Sequence, residues 1–371
     1  MIRILRAINR FLVRIKSIIL LIPEIPSNVG NPRTLSYHPD NELKSRARIY
    51  IDNLLWLIRF GEINDNYYLY GFEQKMSKKR WKDYLPYISF KNIRNRYNRR
   101  KQIGEYHADY TVILKDKFLF NRMLVSLGFP TPKVIALCSE GTLHWLDSRR
   151  TAEPEEITEL EGKRVFCKSI LGECADGVFP LRIKNGKIYL HGEETDIKEI
   201  LERTDGSFIL QEEIIQHPEM SRLFPNSVNS MRIISFHRKT EPEILYALLR
   251  TGTGENTSDN WAVGGLLGMI DMETGKLDNK FLYKPGFGTS RTEHPDTGVV
   301  FADFRIPFLD RAMDMARELH SYLYGVKSIG WDVAISEEGP VFIEGNDNWE
   351  MNCFQINGGA REKTLSWFRK P

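Results

Sequence analysis

A chain of 371 residues with 42% hydrophobic and 27% charged residues reads as a soluble globular protein with room for two or three packed subdomains. That excludes a disulfide-stapled miniprotein and a disordered chain, and Cys138, Cys167, Cys174 and Cys353 show neither CxxC nor zinc-ligand spacing. The net charge is only +3, yet residues 1–110 carry 21 Lys and Arg against 10 Asp and Glu. The N-terminal third therefore suits an anionic partner: a lipid surface, a phosphorylated carrier or a charged glycan.

At the start of the chain, Leu5, Ile8, Leu12, Ile15, Ile19 and Ile22 recur every three or four residues, beside a second stripe of Arg3, Arg6, Arg10 and Arg14. The longest uncharged run, Ser17 to Pro23, is far short of the roughly 20 residues that span a bilayer. Charges interrupt any signal-peptide core. Residues 1–22 are expected either to lie on an anionic membrane as an amphipathic helix or to dock on the protein's own core. The expected location is a reducing cytoplasm, or the inner face of the membrane.

Pro23 to Pro39 reads as a linker or extended arm. Lys44 to Phe60 has helical spacing (Ala47, Tyr50, Ile51, Leu54, Leu55, Ile58). Tyr67 to Lys101 mixes aromatics with Lys and Arg, but no groove-reading helix or stacking sheet accompanies them, so nucleic acid is not expected as a partner. From Asp116 strands and helices alternate. Lys117–Leu127 is predicted helical and stopped by Gly128. Lys133–Leu137, Lys163–Ser169, Lys187–Leu190 and Ser207–Gln211 are predicted strands, LGECADGVFPL a flexible glycine-bearing stretch, and Asp196–Arg203 a helix. Met231–His237, Ile244–Arg250 and Gly265–Asp271 read as three antiparallel strands, and Pro307–Leu323 as a helix. The class is α+β with runs of antiparallel strands, and no GxGxxG dinucleotide fingerprint occurs.

Near the C-terminus two apolar runs, Trp331–Ile335 and Pro340–Ile343, flank the turn Ser336-Glu337-Glu338-Gly339, a hairpin pattern. Side chains on a strand alternate faces, so Glu344 and Asn346 point the same way, and hairpin pairing can set Asp332 beside them. Two carboxylates and an amide oxygen form a hard oxygen cluster suited to Mg²⁺ (or Mn²⁺) held against phosphates. A lone E-x-N is otherwise a solvated surface hairpin. What tips the reading is the order of features upstream: Lys117 at a helix start, Lys168 ending a strand before a glycine-bearing loop, and Gln211-Glu212-Glu213-Ile214 followed by Pro218-Glu219.

In this order the segments DKFLFNRML…GFPTP, VFCKSILGECADGV, ILQEEIIQHPE and GWDVAISEEGPVFIEGN resemble the ATP-grasp superfamily over residues 110–365. The phrases NSVNSMRIISF, LYALLRTGTGENTSDNWAVGG and FIEGNDNWEMNCFQ resemble its sugar-transfer-associated family. The ending EGNDNWEMN departs from better-known ligases, which leaves the acceptor pocket open. The resemblance implies two α+β subdomains gripping ATP behind a helical, basic N-terminal region. The expected division is 1–39, 40–110, 111–210 (lysines and phosphate loop) and 211–371 (metal site).

Within that resemblance, Lys117 and Lys168 are expected on the α- and β-phosphates, with backbone N–H groups from Gly172 to Gly177 around them. Gln211, Glu212, Glu213 and Ile214 form the adenine hinge, and Glu219 accepts from the ribose. Asp332, Glu344 and Asn346 hold the metal. Arg232 and Arg250, whose forks match a carboxylate or γ-phosphate, are assigned to the carboxylate substrate and its acyl-phosphate, with a cross-strand ion pair as the other reading. Asn229, Asp259, Asn260, Gly264 and Gly265 shape the substrate side, while His217 and Cys353 are structural.

The implied activity is an ADP-forming carboxylate–amine ligase in surface-polysaccharide assembly. It would join an amino acid or amine to a sugar acid, free or linked to a lipid carrier. A kinase using the same site, or a non-catalytic nucleotide-binding subunit, is the alternative.

Overall fold

The computed structural model describes residues 16–38, 40–98, 101–103, 106–172, 177–237 and 241–368. Residues 1–15, with Leu5, Ile8, Leu12, Ile15 and the four arginines of the two stripes, and most of the expected phosphate loop lie outside that range. By internal packing the chain forms two units. The smaller takes residues up to Tyr97, Lys280–Thr292 and Glu350 onward; the larger takes Asn98–Asn279 and Glu293–Trp349.

In the smaller unit helix α1 (Arg46–Phe60) starts where the Ser45 side chain accepts from the Arg48 N–H and stops at Gly61, whose φ of 78° is the left-handed conformation a C-terminal glycine adopts readily. Its inward face carries Ile49, Asp52, Asn53, Trp56 and Leu57. Buried Asp52 is satisfied by Lys44 Nζ at 2.8 Å and the Tyr67 hydroxyl at 2.8 Å. Helix α2 (Tyr87–Asn98) begins against the Glu62 carboxylate, which accepts from the Ile88 and Ser89 N–H groups. Pro23 to Pro39 is not an extended arm. Short helical turns occupy Ile22–Glu24, Ile25–Val29 and Pro32–Leu35, because Ile25 and Val29, four apart, are buried and a proline starts each turn. The C-terminal Gln355 side chain closes the unit, accepting from Leu85 N (2.7 Å) and donating to Leu85 O (3.0 Å).

The larger unit holds helix α3 (Lys117–Leu127) and two antiparallel sheets. The first contains β1 (Val134–Ser139), β2 (Thr142–Trp145), β3 (Arg164–Ser169), β4 (Val178–Lys184), β5 (Lys187–Leu190) and β6 (Phe208–Glu212), ordered β2-β1-β6-β3-β4-β5. Short outer strands at Thr151–Ala152 and Glu193–Thr195 complete eight. Val178–Leu181, expected within a flexible stretch, is strand. Its Pro180 sits opposite Phe166 on one side, and pairing with β5 starts only at Leu181, so no ladder donor is lost there. Helix α4 (Ile197–Arg203) lays Ile197, Ile200 and Leu201 on this sheet's core of Cys138, Cys167, Leu181 and Phe208. Among the described residues Cys138, Cys167 and Cys353 are free thiols.

After helix α5 (Pro218–Leu223) the larger unit's part of the second sheet is built from β7 (Met231–His237), β8 (Pro242–Thr251), β9 (Leu266–Met269), β10 (Ser328–Ser336) and β11 (Gly339–Asn346), ordered β9-β8-β7-β10-β11. Helix α6 (Leu309–Tyr322) packs against it. Beneath the sheet, Trp331 Nε1 donates to Ser235 Oγ (2.7 Å), which lies 2.6 Å from His320 Nδ1, and His320 Nε2 lies 3.0 Å from the Val326 carbonyl. Neutral His320 satisfies every partner: Ser235 O–H donates to Nδ1 and Nε2–H donates to Val326. Full burial holds its pKa down to about 3.

A histidine neutral when folded and near its ordinary 6.5 when unfolded makes the unfolded chain bind the extra proton. Stability of the larger unit should therefore fall as pH drops from about 6.5 toward 3, read as a falling urea midpoint. Ser235→Ala, which strands both ring partners, should cost about 1–3 kcal/mol at neutral pH.

Candidate functional site

Register across the second sheet sets the site. Arg232 on β7 lies directly opposite Asp332 on β10, and Asp332 lies directly opposite Glu344 on β11. Residues paired this way share a face, so the three side chains form one row across three strands. Arg232 also sits opposite Leu248 on β8, and Arg250, two residues on, joins the same face. A register shift after Asp332 leaves Ile343 as the extra residue of β11, and Glu344 thereby keeps its place beside Asp332. Gly345 behind it is required: a Cβ there would stand 2.9 Å from Leu114 and 3.0 Å from Trp331.

Arg232 grips Asp332 as a fork, through Nε on Oδ1 and Nη2 on Oδ2 (2.8 Å). Arg250 Nη2 reaches Asp332 Oδ2 at 2.9 Å and donates to Ser230 Oγ at 2.7 Å. Asp259 Oδ2 accepts from both the Ser230 N–H (2.8 Å) and its hydroxyl (2.5 Å), and stands 3.8 Å from Arg250 Nε. Burial alone would raise the Asp332 carboxyl, but Arg232 and Arg250 hold it far below the ordinary carboxylate range. Glu344 goes the other way: burial, and then the Asp332 charge beside it, raise its pKa. Asn346 Nδ2 donates to Glu344 Oε1 at 3.1 Å.

Lys168 lies within electrostatic reach of this row, and Lys117 within reach of Lys168. Lys168 ends β3 on the face opposite the buried Val165, Cys167 and Ser169. Burial lowers its ammonium to about 8; the charges of Glu344 and Asp332 raise it in part, and Lys117 lowers it further. Lys117 opens α3, where its N–H donates to the Ile170 carbonyl (3.0 Å) and its Nζ to the Gly172 carbonyl. Ser169 N–H donates to Gly177 O (2.7 Å), and Gly177, at φ +64°, admits no Cβ: one would lie 2.7 Å from the Ser169 Cβ. Gly172 and Gly177 thus stand at the two ends of the loop between β3 and β4.

The expected hinge follows β6. Gln211 is buried, and its Oε1 has no hydrogen-bond partner. Glu212 N–H donates to Lys133 O (2.9 Å), Glu213 pairs with Arg164 (2.8 Å), and Ile214 is half-buried in the loop beyond. His217 N–H donates to Ile335 O (2.7 Å), tethering this loop to β10, and its ring Nδ1 caps α5. Glu219, in the first turn of α5, pairs with Arg222 at 2.5 Å near the surface.

Asn229 is committed to structure: its Nδ2 lies within 3.0 Å of Gln216 Oε1 and the Met220 and Phe224 carbonyls, and its Oδ1 accepts from Thr251. Asn260 caps the turn Trp261–Val263, which ends at left-handed Gly264. A Cβ on Gly265 would stand 2.6 Å from the Asp259 carbonyl. Sequence reasoning missed Ser230 and Gln216. Ser230, between Asn229 and the β7 strand, orients Arg250 and Asp259 together; its only signal was its polar place at the mouth of a strand carrying Arg232.

Among the described residues no three His, Cys, Asp or Glu side chains form a metal-ligating group. The acid pair Asp332 and Glu344 with the Asn346 amide nevertheless fits Mg²⁺, which commonly takes one or two carboxylates and fills its shell with water and phosphate oxygens. Geometry supports that fit: Asp332 and Glu344 face one another on neighbouring strands, with Asn346 Nδ2 3.1 Å from Glu344 Oε1.

The sequence profile of the sugar-transfer associated ATP-grasp family matches residues 94–366. No curated protein matches the chain in sequence. Among solved structures, N5-carboxyaminoimidazole ribonucleotide synthetase from Thermotoga maritima is similar at 12% identity and a TM-score of 0.34, over 64% of this chain and 42% of that one. D-Alanine–D-alanine ligase from Helicobacter pylori is similar at 13% identity and a TM-score of 0.39, over 70% of this chain and 61% of that one. The corresponding synthetase from Vibrio cholerae gives 9% and 0.39, over 68% and 61%. This chain thus spans less than half of the first protein and about three fifths of the other two.

The charge row makes a test of its own. Asp332→Ala takes from half-buried Arg232 its fork and from Arg250 one of two carboxylates, and should cost about 3 kcal/mol in urea unfolding. Glu344→Gln, which removes the like charge and keeps the shape, should cost less than about 1 kcal/mol at neutral pH or stabilise.

Proposed function

The chain belongs to the sugar-transfer associated ATP-grasp family, and from that premise we propose that it is an ATP-dependent carboxylate–amine ligase of surface-polysaccharide assembly. One observation carries the reading. Lys168, near the end of β3, sits within electrostatic reach of Lys117 and of Asp332 and Glu344 on the other sheet. A triphosphate with about four negative charges needs such cations on one side and a divalent ion on the other.

In the proposed reaction a substrate carboxylate oxygen attacks the γ-phosphorus, the bond to the β-phosphate oxygen breaks, and ADP leaves with that electron pair. The amine then adds to the carbonyl carbon of the acyl-phosphate, loses a proton, and inorganic phosphate departs as the amide forms. Lys117 and Lys168 hold the α- and β-phosphates. Backbone N–H groups of Gly172 and Gly177 are assigned to the same phosphates, and residues 173–176 between them lie outside the described residues. The backbone of Glu212 to Ile214 borders the adenine, Gln211 Oε1 offers the unsatisfied acceptor there, and Glu219 turns from Arg222 to the ribose.

Arg250, whose buried Nε has no hydrogen-bond partner, and Arg232 orient the substrate carboxylate and the acyl-phosphate it becomes. Asp332, Glu344 and Asn346 hold Mg²⁺, or Mn²⁺, which when bound neutralises charge on the β- and γ-phosphates. The chain's own contribution is alignment and a fixed charge pattern. The acceptor is an amine or amino acid, and the acid a sugar acid, free or carrier-linked.

The test is an ADP-release screen over amino acids, amines and sugar acids with Mg²⁺. Release of ADP and free phosphate with an amide product is expected. A phosphoester product would instead make the protein a kinase, and bound nucleotide without turnover a non-catalytic subunit. Lys168→Met and Glu344→Ala should each lower ADP formation by about 10²-fold or more, with circular dichroism unchanged.

Because Lys168 rests near 8 before nucleotide binds, phosphates that favour its charged form should draw in a proton. ATP affinity should therefore weaken as pH rises past 8. Calorimetry in buffers of different ionisation heat should show proton uptake that Lys168→Met abolishes.

A further inference from the structure

The hairpin that carries Asp332, Glu344 and Asn346 is closed at one end by its turn and clasped at the other by a residue far away in sequence. Ladder pairing between β10 and β11 runs from Ser336 opposite Gly339 to Gly330 opposite Asn346. Beyond that last pair lie Ser328, the first residue of β10, and Asp347, the first residue after β11. Strand ends past their last cross-strand bond fray readily. Here Asn98, which opens the larger unit and is fully buried, bridges the gap. Its Nδ2 donates to the Ser328 carbonyl (2.9 Å) and to the Asp347 carbonyl (2.9 Å). Its Oδ1 accepts from the Ser328 N–H (2.9 Å) and hydroxyl (3.3 Å). Both amide hydrogens and both lone pairs are thereby used, which fixes the side chain in one orientation.

The chain beyond Asp347 completes the clasp. Trp349 is buried, and its Nε1 donates to the same Ser328 hydroxyl (3.1 Å). A Cβ on Gly330, the residue directly opposite Asn346, would stand 2.8 Å from the Trp349 Cβ. Glycine at 330 therefore lets the chain turn back over the strand beside Asn346. The ending EGNDNWEMN, where this chain departs from better-known ligases, takes its form from this return: the Asp347 carbonyl and the Trp349 ring, both anchored, follow Asn346 within three residues. Ser328 is itself laddered to β7, the strand of Arg232, opposite Phe236. Asn346, whose Nδ2 rests on Glu344 Oε1, thus lies between a ladder pair and a tethered neighbour.

We infer that Asn98 and Trp349 are positioning residues for Asn346: by tying the chain after β11 to the first residue of β10, they set where the Asn346 amide stands beside Asp332 and Glu344. The inference rests on the reading of Asn346 as a metal ligand. Groups that orient a ligand without touching the metal govern its affinity by about 10- to 100-fold.

The test is calorimetry of ADP binding to the full chain, with Mn²⁺ and with EDTA, so that the gain conferred by the metal is read as a ratio of two dissociation constants. Wild type should bind ADP more tightly with Mn²⁺. Asn98→Ala should lose about tenfold of that gain, with its affinity for metal-free ADP within about twofold of wild type. A merely structural role would weaken both affinities together and leave the ratio unchanged. Trp349→Phe keeps an aromatic ring and drops the donor, and should lose about threefold of the gain. It decides the matter if circular dichroism shows that Asn98→Ala does not fold.

An unchanged ratio in folded Asn98→Ala, or in Trp349→Phe where the first variant does not fold, would overturn the inference and leave the nucleotide site standing. ADP binding by wild type with no gain from Mn²⁺ would overturn the metal assignment and the inference together. No ADP binding by wild type would overturn the nucleotide reading itself, and the inference with it.

Discussion

The candidate site hangs on one buried carboxylate held by two guanidinium groups. Asp332 is buried on β10, the strand beside the edge strand β11, where a lone charge would be expelled or neutralised. It stays ionised because Arg232 meets both its oxygens as a fork and Arg250 shares Oδ2. With that charge fixed, burial and the Asp332 carboxylate together raise the pKa of Glu344 on the next strand.

The sheet can hold such a row because the layer beneath it is rigid and neutral. Trp331, adjacent to Asp332, is buried and tied through Ser235 to a histidine that burial keeps uncharged. Gly345, adjacent to Glu344, lets Leu114 and Trp331 close against the backbone. The polar chemistry faces one way and the packing faces the other, which is the alternation of a strand put to use. Ser230 plays the matching part on the substrate side, joining Arg250 and Asp259 through one hydroxyl.

The smaller unit follows a different economy. Its aromatic segment Tyr67–Phe72 and the buried Asp52 cluster make a core with many polar members, each matched by a partner. Its largest helix among the described residues buries Ile49, Trp56 and Leu57 beside Asp52 and Asn53, so apolar packing and paired polar groups share one face.

Much of this was legible in the residues themselves. Helical spacing and the stop at Gly128 located α3, period-two runs located β3, β7 and β8, and the Gly-bearing turn located the β10–β11 hairpin with Asp332 opposite Glu344. These are local properties: a side-chain period and a turn residue act within a few positions. Val178–Leu181 was misjudged because its strand character depends on partners, β3 on one side and β5 on the other, that composition does not reveal. Pro23 to Pro39 was misjudged because proline signals a break in local terms, whereas burial of Ile25 and Val29 supports short helical turns.

The return of the chain at 280–292 and after Glu350 to the N-terminal unit left no local trace at all. Nor did the sequence decide between the two readings of Arg232 and Arg250, since an Arg fork suits a substrate and a neighbouring Asp equally well. Only the register of three strands, which no single segment encodes, set both arginines on Asp332. The sequence by itself determined which short elements form and which candidate residues they bear; the tertiary structure decided which charges share one low-dielectric space, because Coulomb interactions act across strands far apart along the chain.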